Sequence, residues 1–348
     1  VPTIPKLHNK WAKVHINSYS FFIHLLLRKE LRSTTMIHAV QGEIGVWFSK
    51  IKKHFDWKLL TQFIGTDLVS ELKIHRHKSW VKTWEKSLDG VSFNSVKLLD
   101  LFENYYPDYS GKKTVIYRGV NLNRFSSNTE KSNSPFTFLF LGGLANYSFE
   151  EGRNLKGGLD LLRAWERFLK TTSNPNVKLL FAGVNTSKME IQEISPDSDL
   201  TKIECLGPLS LEEVKKQYAL ANCTIIPSLQ DGLPNVAVES LSCEIPIVGS
   251  NVGGIPECIK DKETGLIFEA GNIDDLCKKM TLISTNMELY STLKANTRKD
   301  VEKRFNSNSF APNYINFYLF FNYISNCISY FFCIINFFSF IRMPYPIF

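Results

Sequence analysis

The chain has 348 residues, of which 44% are hydrophobic and 22% are charged. At roughly 150 residues per domain this length predicts two domains, and the near-average composition excludes a disulfide-stabilised miniprotein, wholesale disorder and a collagen-like chain. The net charge of +7 is uneven, because residues 1–130 hold 20 Lys and Arg against 11 Asp and Glu, whereas residues 131–305 hold 20 against 23.

Before residue 126 the sequence predicts four short strands, each an apolar run that contains β-branched or aromatic residues. They are expected at residues 36–40, 59–64, 90–94 and 114–117. The polar stretch at residues 126–135 that follows is typical of a linker. We therefore predict an amino-terminal α/β domain over residues 1–130.

Beyond this stretch, strands and amphipathic helices alternate, as in a parallel sheet that is covered on both faces. The predicted strands lie at residues 136–141, 177–182, 201–206, 223–227 and 245–249. The predicted helices lie at residues 159–170, at residues 211–221 and after Pro234. The fold class is therefore α/β, with a Rossmann-like domain over residues 131–305.

The two ends of the chain differ from its middle. Residues 318–341 are 24 largely apolar residues without a charge, a length that could cross the roughly 30 Å hydrocarbon layer of a membrane. Asn322, Asn326 and Asn336 interrupt this stretch and favour a non-native or poorly ordered tail over a membrane segment or a packed helix. The start of the chain carries no signal-peptide pattern.

The segment around Pro234 predicts an anion-binding site. Pro234 suits the first turn of a helix, and Gly232 before it lets the backbone approach a ligand closely. A helix that begins at the carboxyl end of a parallel strand binds phosphate groups with its free N–H groups. Asp231 precedes this helix, and Glu239, expected to be half-exposed, lies on its wall. Either the two carboxylates hold the sugar hydroxyls of a diphosphate ligand, or Asp231 caps the helix and Glu239 is a solvated surface residue.

The motifs of this segment resemble a known family. The sequence D-G-L-P-N-V-A-V-E at residues 231–239 and G-G-I-P-E at residues 253–257 resemble the E-x7-E signature and the G-G-x-P-E loop of the family 4 retaining glycosyltransferases. Further landmarks in the family's order are G-V-N-L-N-R-F (119–125), F-L-G-G-L (140–144), L-K-G-G-L-D-L-L (155–162), L-L-F-A-G (179–183), L-G-P-L-S (206–210) and T-G-L-I-F (264–268).

The resemblance runs from about residue 36 to about residue 318 and implies the GT-B fold. In this fold two Rossmann-like domains face a cleft, and the first part of the amino-terminal domain is expected to be missing here. The resemblance also implies a closing helix, which is followed by the apolar tail, over residues 306–348.

The resemblance implies a role for each residue that matches the family's motifs. Lys156 is expected to hold the diphosphate and Glu239 the ribose hydroxyls, and Asp231 is expected to hold the transferred sugar; Asp231 and Lys156 are the expected catalytic residues. The backbone around the sugar is expected to come from Gly232, Leu233, Pro234 and Asn235.

Some positions depart from the family pattern. Gly143 stands where the family has the Arg of its F-x-G-R landmark, so one cation for the diphosphate is missing there. Arg153 is expected either to replace that cation or to be a solvated loop residue. Asp231 is shorter than the family's Glu. Ile64 occupies the histidine position of an H-G-x-D landmark, and Asp67 of that landmark is as compatible with a helix cap as with substrate contact.

No metal ion or cofactor is predicted. The cysteines form no C-x-x-C pair and all histidines lie at or before His77, which disfavours a zinc site and favours a reducing, cytoplasmic compartment. His38 lies in M-I-H-A-V (36–40), which resembles a strand of the family that ends in I-H-A-H; either it faces the cleft, as the resemblance implies, or it is structural, which a lone histidine after a strand favours. Asp197 and Asp199 form a D-x-D, but in a Ser/Pro-rich loop without a strand leading into it. The basic amino-terminal part has no nucleic-acid motif, so we expect contact with an anionic membrane surface or a lipid phosphate instead.

These observations lead to one main hypothesis. The chain is a retaining hexosyltransferase that moves a sugar from a nucleotide-sugar donor to a saccharide or lipid-linked acceptor, in polysaccharide, glycolipid or glycoconjugate synthesis. We expect it in the cytoplasm, with the inner face of the membrane as a second location. Two alternatives stay open: a non-catalytic donor-binding remnant, and a sugar-nucleotide epimerase, which needs further acid–base residues.

Overall fold

The computed structural model describes residues 34–65, 67–68, 84–126, 135–144, 149–150 and 153–321, with only the backbone at residues 43, 47, 149, 150 and 153. The chain divides into two compact units, Val1–Ile116 and Tyr117–Phe348. The domain bounds predicted after residues 130 and 305 stay predictions. Residues 127–134 of the predicted linker lie outside the described residues.

The first unit contains a four-stranded parallel sheet. Its strands are β1 (Met36–Val40), β2 (Lys58–Phe63), β3 (Gly90–Phe93) and β4 (Lys112–Val115), which pair in this order. Its described α-helices are α1 (Gly42–Lys52) and α2 (Val96–Tyr105). The rings of Phe63, Phe93 and Phe102 pack together in its core, with centroids 5.2 to 5.3 Å apart.

The second unit is larger and carries the predicted anion site. Its strands are β5 (Phe136–Leu141), β6 (Phe149–Glu150), β7 (Arg153–Asn154), β8 (Val177–Ala182), β9 (Ile203–Gly207), β10 (Cys223–Ile226), β11 (Ile247–Ser250) and β12 (Gly265–Phe268). Its helices are α3 (Gly158–Thr171), α4 (Lys188–Ile194), α5 (Leu211–Leu220), α6 (Asn235–Ser242), α7 (Ile255–Cys258), α8 (Ile273–Thr285), α9 (Met287–Arg304) and α10 (Ser307–Leu319). Strands β6 and β7 form a short antiparallel hairpin.

The other six strands form a parallel sheet in the order β12-β11-β10-β5-β8-β9. The strand order therefore reverses beside β5, because the chain first adds β8 and β9 on one side and then β10 to β12 on the other. In open parallel sheets, ligands bind outside the carboxyl ends of the strands at such a reversal. The loops that follow β5 and β10 lie at this point.

Both faces of the larger sheet are covered by apolar side chains. On one face Phe138 packs its ring edge to face against Trp165 of α3, with centroids 5.9 Å apart. On the other face Leu180, Tyr218 and Leu241 belong to a second buried cluster. The two parallel sheets confirm the predicted α/β class, and the two covered faces of the larger sheet explain its continuous apolar runs in the sequence.

Within the part of the chain that the structure describes, no helix combines the length and the apolar character that a bilayer-spanning segment needs. Residues 322–341 of the predicted apolar tail lie outside the described residues.

Candidate active site

Two loops of the second unit meet at the reversal point. The loop before α3 is joined to the loop after β10 by a backbone hydrogen bond, in which Leu229 N donates to Leu155 O over 2.8 Å. Gly157 follows with φ = +72°, and a Cβ there would lie 1.8 Å from the carbonyl oxygen of Pro227. Only glycine fits this approach. The two contacts fix Lys156, which lies between them, beside the loop after β10.

The structure brings Lys156 and Asp231 together. Lys156 Nζ lies 2.7 Å from Asp231 Oδ2, with 40% of the lysine side chain and 13% of the aspartate side chain exposed. Ser228 Oγ donates to the same oxygen over 3.3 Å, and Gly232 N donates to Oδ1 over 2.9 Å. The predicted cation and the predicted sugar-binding carboxylate are therefore direct neighbours.

Asp231 does not cap the helix that follows it. Helix α6 begins at Asn235 with Pro234 as its N-cap, and this N-cap makes no side-chain hydrogen bond. The sequence predicts Pro234 inside the first turn, but this proline lies one residue before it. Leu233 and Pro234 are buried and Asn235 is half-buried, so the first turn of α6 is partly accessible.

The G-G-I-P-E loop braces the backbone before α6. Gly254 N donates to Gly232 O over 2.5 Å. Gly253 has φ = +54°, and a Cβ there would lie 1.8 Å from Asp231 O. Gly253 therefore allows a close backbone approach, and the Gly254 hydrogen bond holds the loop of Asp231 beside it.

Glu239 is buried, and the expectation that it is half-exposed is wrong. The residue is 9% exposed, and its Oε2 accepts a hydrogen bond of 3.0 Å from the Tyr218 hydroxyl. Burial raises the pKa of the Glu239 carboxyl, although the Tyr218 hydroxyl and the charges of Arg118 and Arg124 oppose this rise. Glu239 is therefore not a solvated surface residue.

Gly143 and Arg153 are the two positions linked to the missing cation for the diphosphate. Gly143 has φ = +67°, and a Cβ there would come within 2.9 Å of the backbone N and O of Val184. A side chain at this position therefore requires a shift of the backbone around Val184. The Arg153 side chain lies outside the described residues, so its role as replacement stays a prediction.

Asp67 and His38 are two residues of the first unit that the sequence singled out, and Asp67 has backbone partners. The Asp67 carboxylate is buried and accepts hydrogen bonds from Gly42 N over 2.8 Å and Gly65 N over 2.9 Å. It thus ties the start of α1 to the loop after β2. Burial lowers the pKa of His38 to about 4, so its imidazole is neutral at pH 7.

Asp199 of the D-x-D pair makes a local hydrogen bond. Asp199 Oδ1 accepts a hydrogen bond of 2.8 Å from Thr201 N, as in a turn. Among the described residues, no group of three or more His, Cys, Asp or Glu is arranged to hold a metal ion.

Comparison with known proteins finds a family that matches part of the chain. Residues 147–300, which contain Lys156, Asp231 and Glu239, match the family described as Glycosyl transferases group 1. The matched segment is therefore similar to the group 1 glycosyltransferases, in agreement with the predicted resemblance.

One similar protein is an uncharacterised glycosyltransferase of Methanocaldococcus jannaschii. It is 34% identical over 130 residues, which are 37% of this chain and 36% of that protein. The chain spans 36% to 54% of the length of curated relatives that it matches.

Solved structures share the fold over most of the chain. Sucrose-phosphate synthase of Thermosynechococcus elongatus has a TM-score of 0.71 at 18% identity, with 92% of this chain and 82% of that one covered. HepE of Anabaena in complex with UDP has a TM-score of 0.64 at 14% identity, with 89% and 83% covered. At these identities the likeness shows the fold, in agreement with the predicted GT-B class.

Sequence reasoning missed two residues of this candidate site. Tyr218 lies four residues after Val214, and both are buried on one face of α5, so the spacing predicts only a core position. Ser228 carries no motif. The Tyr218 hydroxyl donates to Glu239, 21 residues away, whereas Ser228 donates to Asp231 within the same loop; neither contact leaves a pattern in the sequence.

Proposed function

We propose that this chain transfers a sugar from a UDP-sugar donor to an acceptor hydroxyl, with retention at the anomeric carbon. The observation that carries the proposal is the ion pair of Lys156 and Asp231, with 2.7 Å between Nζ and Oδ2, at the carboxyl ends of β5 and β10. This is the crevice in which parallel α/β sheets bind ligands. The UDP bound to HepE supports the choice of nucleotide.

Each side chain suits one part of such a donor. The Lys156 ammonium is a compact charge with three donors, which suits phosphate oxygens. The Asp231 carboxylate accepts hydrogen bonds from sugar hydroxyls. Glu239 accepts hydrogen bonds from ribose hydroxyls, because its Oε2 bonds to Tyr218 and its Oε1 accepts no hydrogen bond from a described residue.

The same groups favour departure of UDP. As the bond between the anomeric carbon and the β-phosphate oxygen breaks, negative charge develops on that oxygen. Fixed positive groups stabilise this charge more in the transition state than in the ground state. We assign this role to Lys156 and to the backbone N–H groups at the start of α6.

The acceptor is proposed to be a saccharide or a lipid-linked saccharide, used in polysaccharide, glycolipid or glycoconjugate synthesis at the cytoplasmic side of a membrane. The excess of Lys and Arg in residues 1–130 supports this choice, since such segments are attracted to anionic lipids and phosphates.

Calorimetric titration with UDP tests the donor site. Lys156→Met and Glu239→Gln should each weaken UDP binding about 10- to 100-fold, since a hydrogen bond to a charged group contributes about 1.5–3 kcal/mol and 1.4 kcal/mol is tenfold. Lys170→Met is the matched control, because its side chain is 73% exposed on α3. It should bind UDP as the wild type does.

Unchanged UDP affinity in both site variants would contradict the proposal. Turnover is then measured with radiolabelled UDP-sugars and a mixed pool of saccharide and lipid-linked acceptors. Binding without transfer to any acceptor would favour the donor-binding remnant over the enzyme.

A further inference from the structure

Tyr218 and Glu239 form a buried polar pair beneath the proposed donor site. Tyr218 is 1% exposed and Glu239 is 9% exposed, and the tyrosine hydroxyl donates to Glu239 Oε2 over 3.0 Å. Among the described residues, no other group donates a hydrogen bond to the Glu239 carboxylate. One carboxylate oxygen is therefore held by the protein, and the other is left for a ligand.

We propose that Tyr218 is a positioning residue for donor binding: its hydroxyl fixes Glu239 Oε2, so that Oε1 stands ready for the ribose hydroxyls. The inference rests on the proposed function, in which Glu239 holds the ribose. A carboxylate without this hydrogen bond can rotate about its terminal torsion, which is broad and roughly two-fold in glutamate. Preorganisation of this kind lowers the cost of ordering the group when the ligand binds.

Packing that does not involve the hydroxyl holds the tyrosine ring in place. The Phe125 ring meets the Tyr218 ring edge to face, with centroids 6.0 Å apart. The Arg298 guanidinium donates to Phe125 O over 2.8 Å and to Ser242 O, at the end of α6, over 2.7 Å. Arg298 thus ties the segment that packs on Tyr218 to the helix that carries Glu239, and the ring can stay in place when its hydroxyl is removed.

The hydroxyl also acts on the charge of the carboxylate. Burial raises the pKa of Glu239, and the hydrogen bond from Tyr218 opposes that rise. Burial and the nearby Glu239 charge keep the pKa of Tyr218 well above its ordinary value, so the hydroxyl keeps its proton between pH 5 and 8. Without it, Glu239 should become protonated at a higher pH and lose the ionised form that accepts the ribose hydroxyls most strongly.

A tyrosine that serves only as core would not produce this pattern. Its hydroxyl would contribute to the free energy of unfolding, but its loss would change neither the UDP affinity nor the pH dependence of that affinity. Tyr290 is a suitable comparison within the same unit, since it is 3% exposed and its hydroxyl accepts a hydrogen bond from Asn222 Nδ2.

The test uses the full chain with Tyr218→Phe, and with Tyr290→Phe as the matched control. UDP is titrated by calorimetry at several values between pH 5 and 8. We expect Tyr218→Phe to raise the Kd for UDP about tenfold at pH 7.5, the size of one lost hydrogen bond to a charged group. The pH below which binding weakens should also move upward. Tyr290→Phe should match the wild type in both respects.

A double-mutant cycle with Glu239→Gln separates positioning from independent contributions. If Tyr218 acts through Glu239, adding Tyr218→Phe to Glu239→Gln should change the Kd for UDP by less than threefold, because interacting residues are not additive. If Tyr218→Phe does not fold, Glu239→Asp tests the same contact, since the shorter carboxylate keeps its charge but is withdrawn from the hydroxyl. It should show the same loss of affinity.

Wild-type UDP affinity and an unmoved pH profile in Tyr218→Phe, or wild-type affinity in Glu239→Asp, would overturn the positioning role. Fully additive effects in the cycle would overturn it as well. These results leave the proposed function intact as long as Glu239→Gln alone weakens UDP binding. Undiminished binding by Glu239→Gln itself would instead refute the ribose assignment, so the two failures are distinguishable.

Discussion

Replacing Gly143 with alanine should destabilise the second unit more than the same change at Gly207. Both glycines have φ = +67°, so an alanine at either position adopts the left-handed conformation, which costs about 1–2 kcal/mol. The surroundings differ. A Cβ at Gly143 would lie 2.9 Å from both N and O of Val184, whereas a Cβ at Gly207 meets nothing within 4 Å. Gly207→Ala therefore isolates the backbone contribution.

The contact with Val184 adds a steric contribution at Gly143 only. Overpacking of this kind costs about 1–3 kcal/mol, so Gly143→Ala should reduce the free energy of unfolding by about 2–5 kcal/mol in total, against the 5–15 kcal/mol typical of folded domains. Urea unfolding followed by circular dichroism measures both variants, with the midpoints compared at equal slopes. Equal midpoints for the two variants would show that the loop after β5 relaxes, and would refute the steric argument.

The same reasoning applies to the family's arginine at this position. Gly143→Arg introduces the same Cβ and therefore the same contact with Val184. The backbone around Val184 must shift before the arginine side chain can be placed near a diphosphate. We expect Gly143→Arg to unfold at lower urea than the wild type and to bind UDP no more tightly.

Three further outcomes follow from other contacts. Arg298→Ala should lower the free energy of unfolding by about 2–4 kcal/mol, because the hydrogen bonds of the guanidinium to backbone carbonyls are lost; an unchanged urea midpoint argues against this. Burial by itself raises the pKa of Asp300, but hydrogen bonds and charges from Arg304 and Lys260 outweigh it and hold this pKa below its ordinary 3.8. A depressed pKa stabilises the fold above the ordinary value, and this contribution is lost as the pH falls through the folded-state pKa. The stability difference between the wild type and Asp300→Asn should therefore be largest near pH 7 and shrink below pH 4, and a difference that stays constant in acid contradicts the assignment. UDP affinity should survive EDTA, since Lys156 and the start of α6 supply the positive charge; affinity that EDTA removes and Mn²⁺ restores contradicts this.

Most strands could be predicted because parallel strands that are covered on both faces leave continuous apolar runs. Strands β5 and β8 were predicted to the residue at 136–141 and 177–182. Strand β4 lies two residues earlier than predicted, at Lys112–Val115. Its first two residues are lysines without an apolar signal, and only their pairing with Gly90 and Val91 of β3 makes them part of the strand.

The position of Glu239 could be predicted, and its burial could not. Residues 237–242 of α6 are all buried, so this short helix has no solvent face that a 3.6-residue period could reveal. Its polar side chains are accommodated individually: Ser240 Oγ donates to Thr224 Oγ1 over 2.9 Å, and Ser242 Oγ donates to Glu239 O over 2.9 Å. The partners of these polar side chains come from β10, α5 and the helix itself, and only the first two depend on the tertiary fold.

Burial makes Glu239 the decisive position for testing the donor site. A carboxylate removed from water is unfavourable unless hydrogen bonds compensate it, and the neutral Tyr218 hydroxyl compensates one oxygen only. The raised pKa of the carboxyl reflects this incomplete compensation. Asp231, by contrast, accepts hydrogen bonds from Lys156, Ser228 and Gly232. A ligand hydroxyl therefore adds more at Glu239 than at Asp231, and we expect UDP affinity to fall further in Glu239→Gln than in Asp231→Asn.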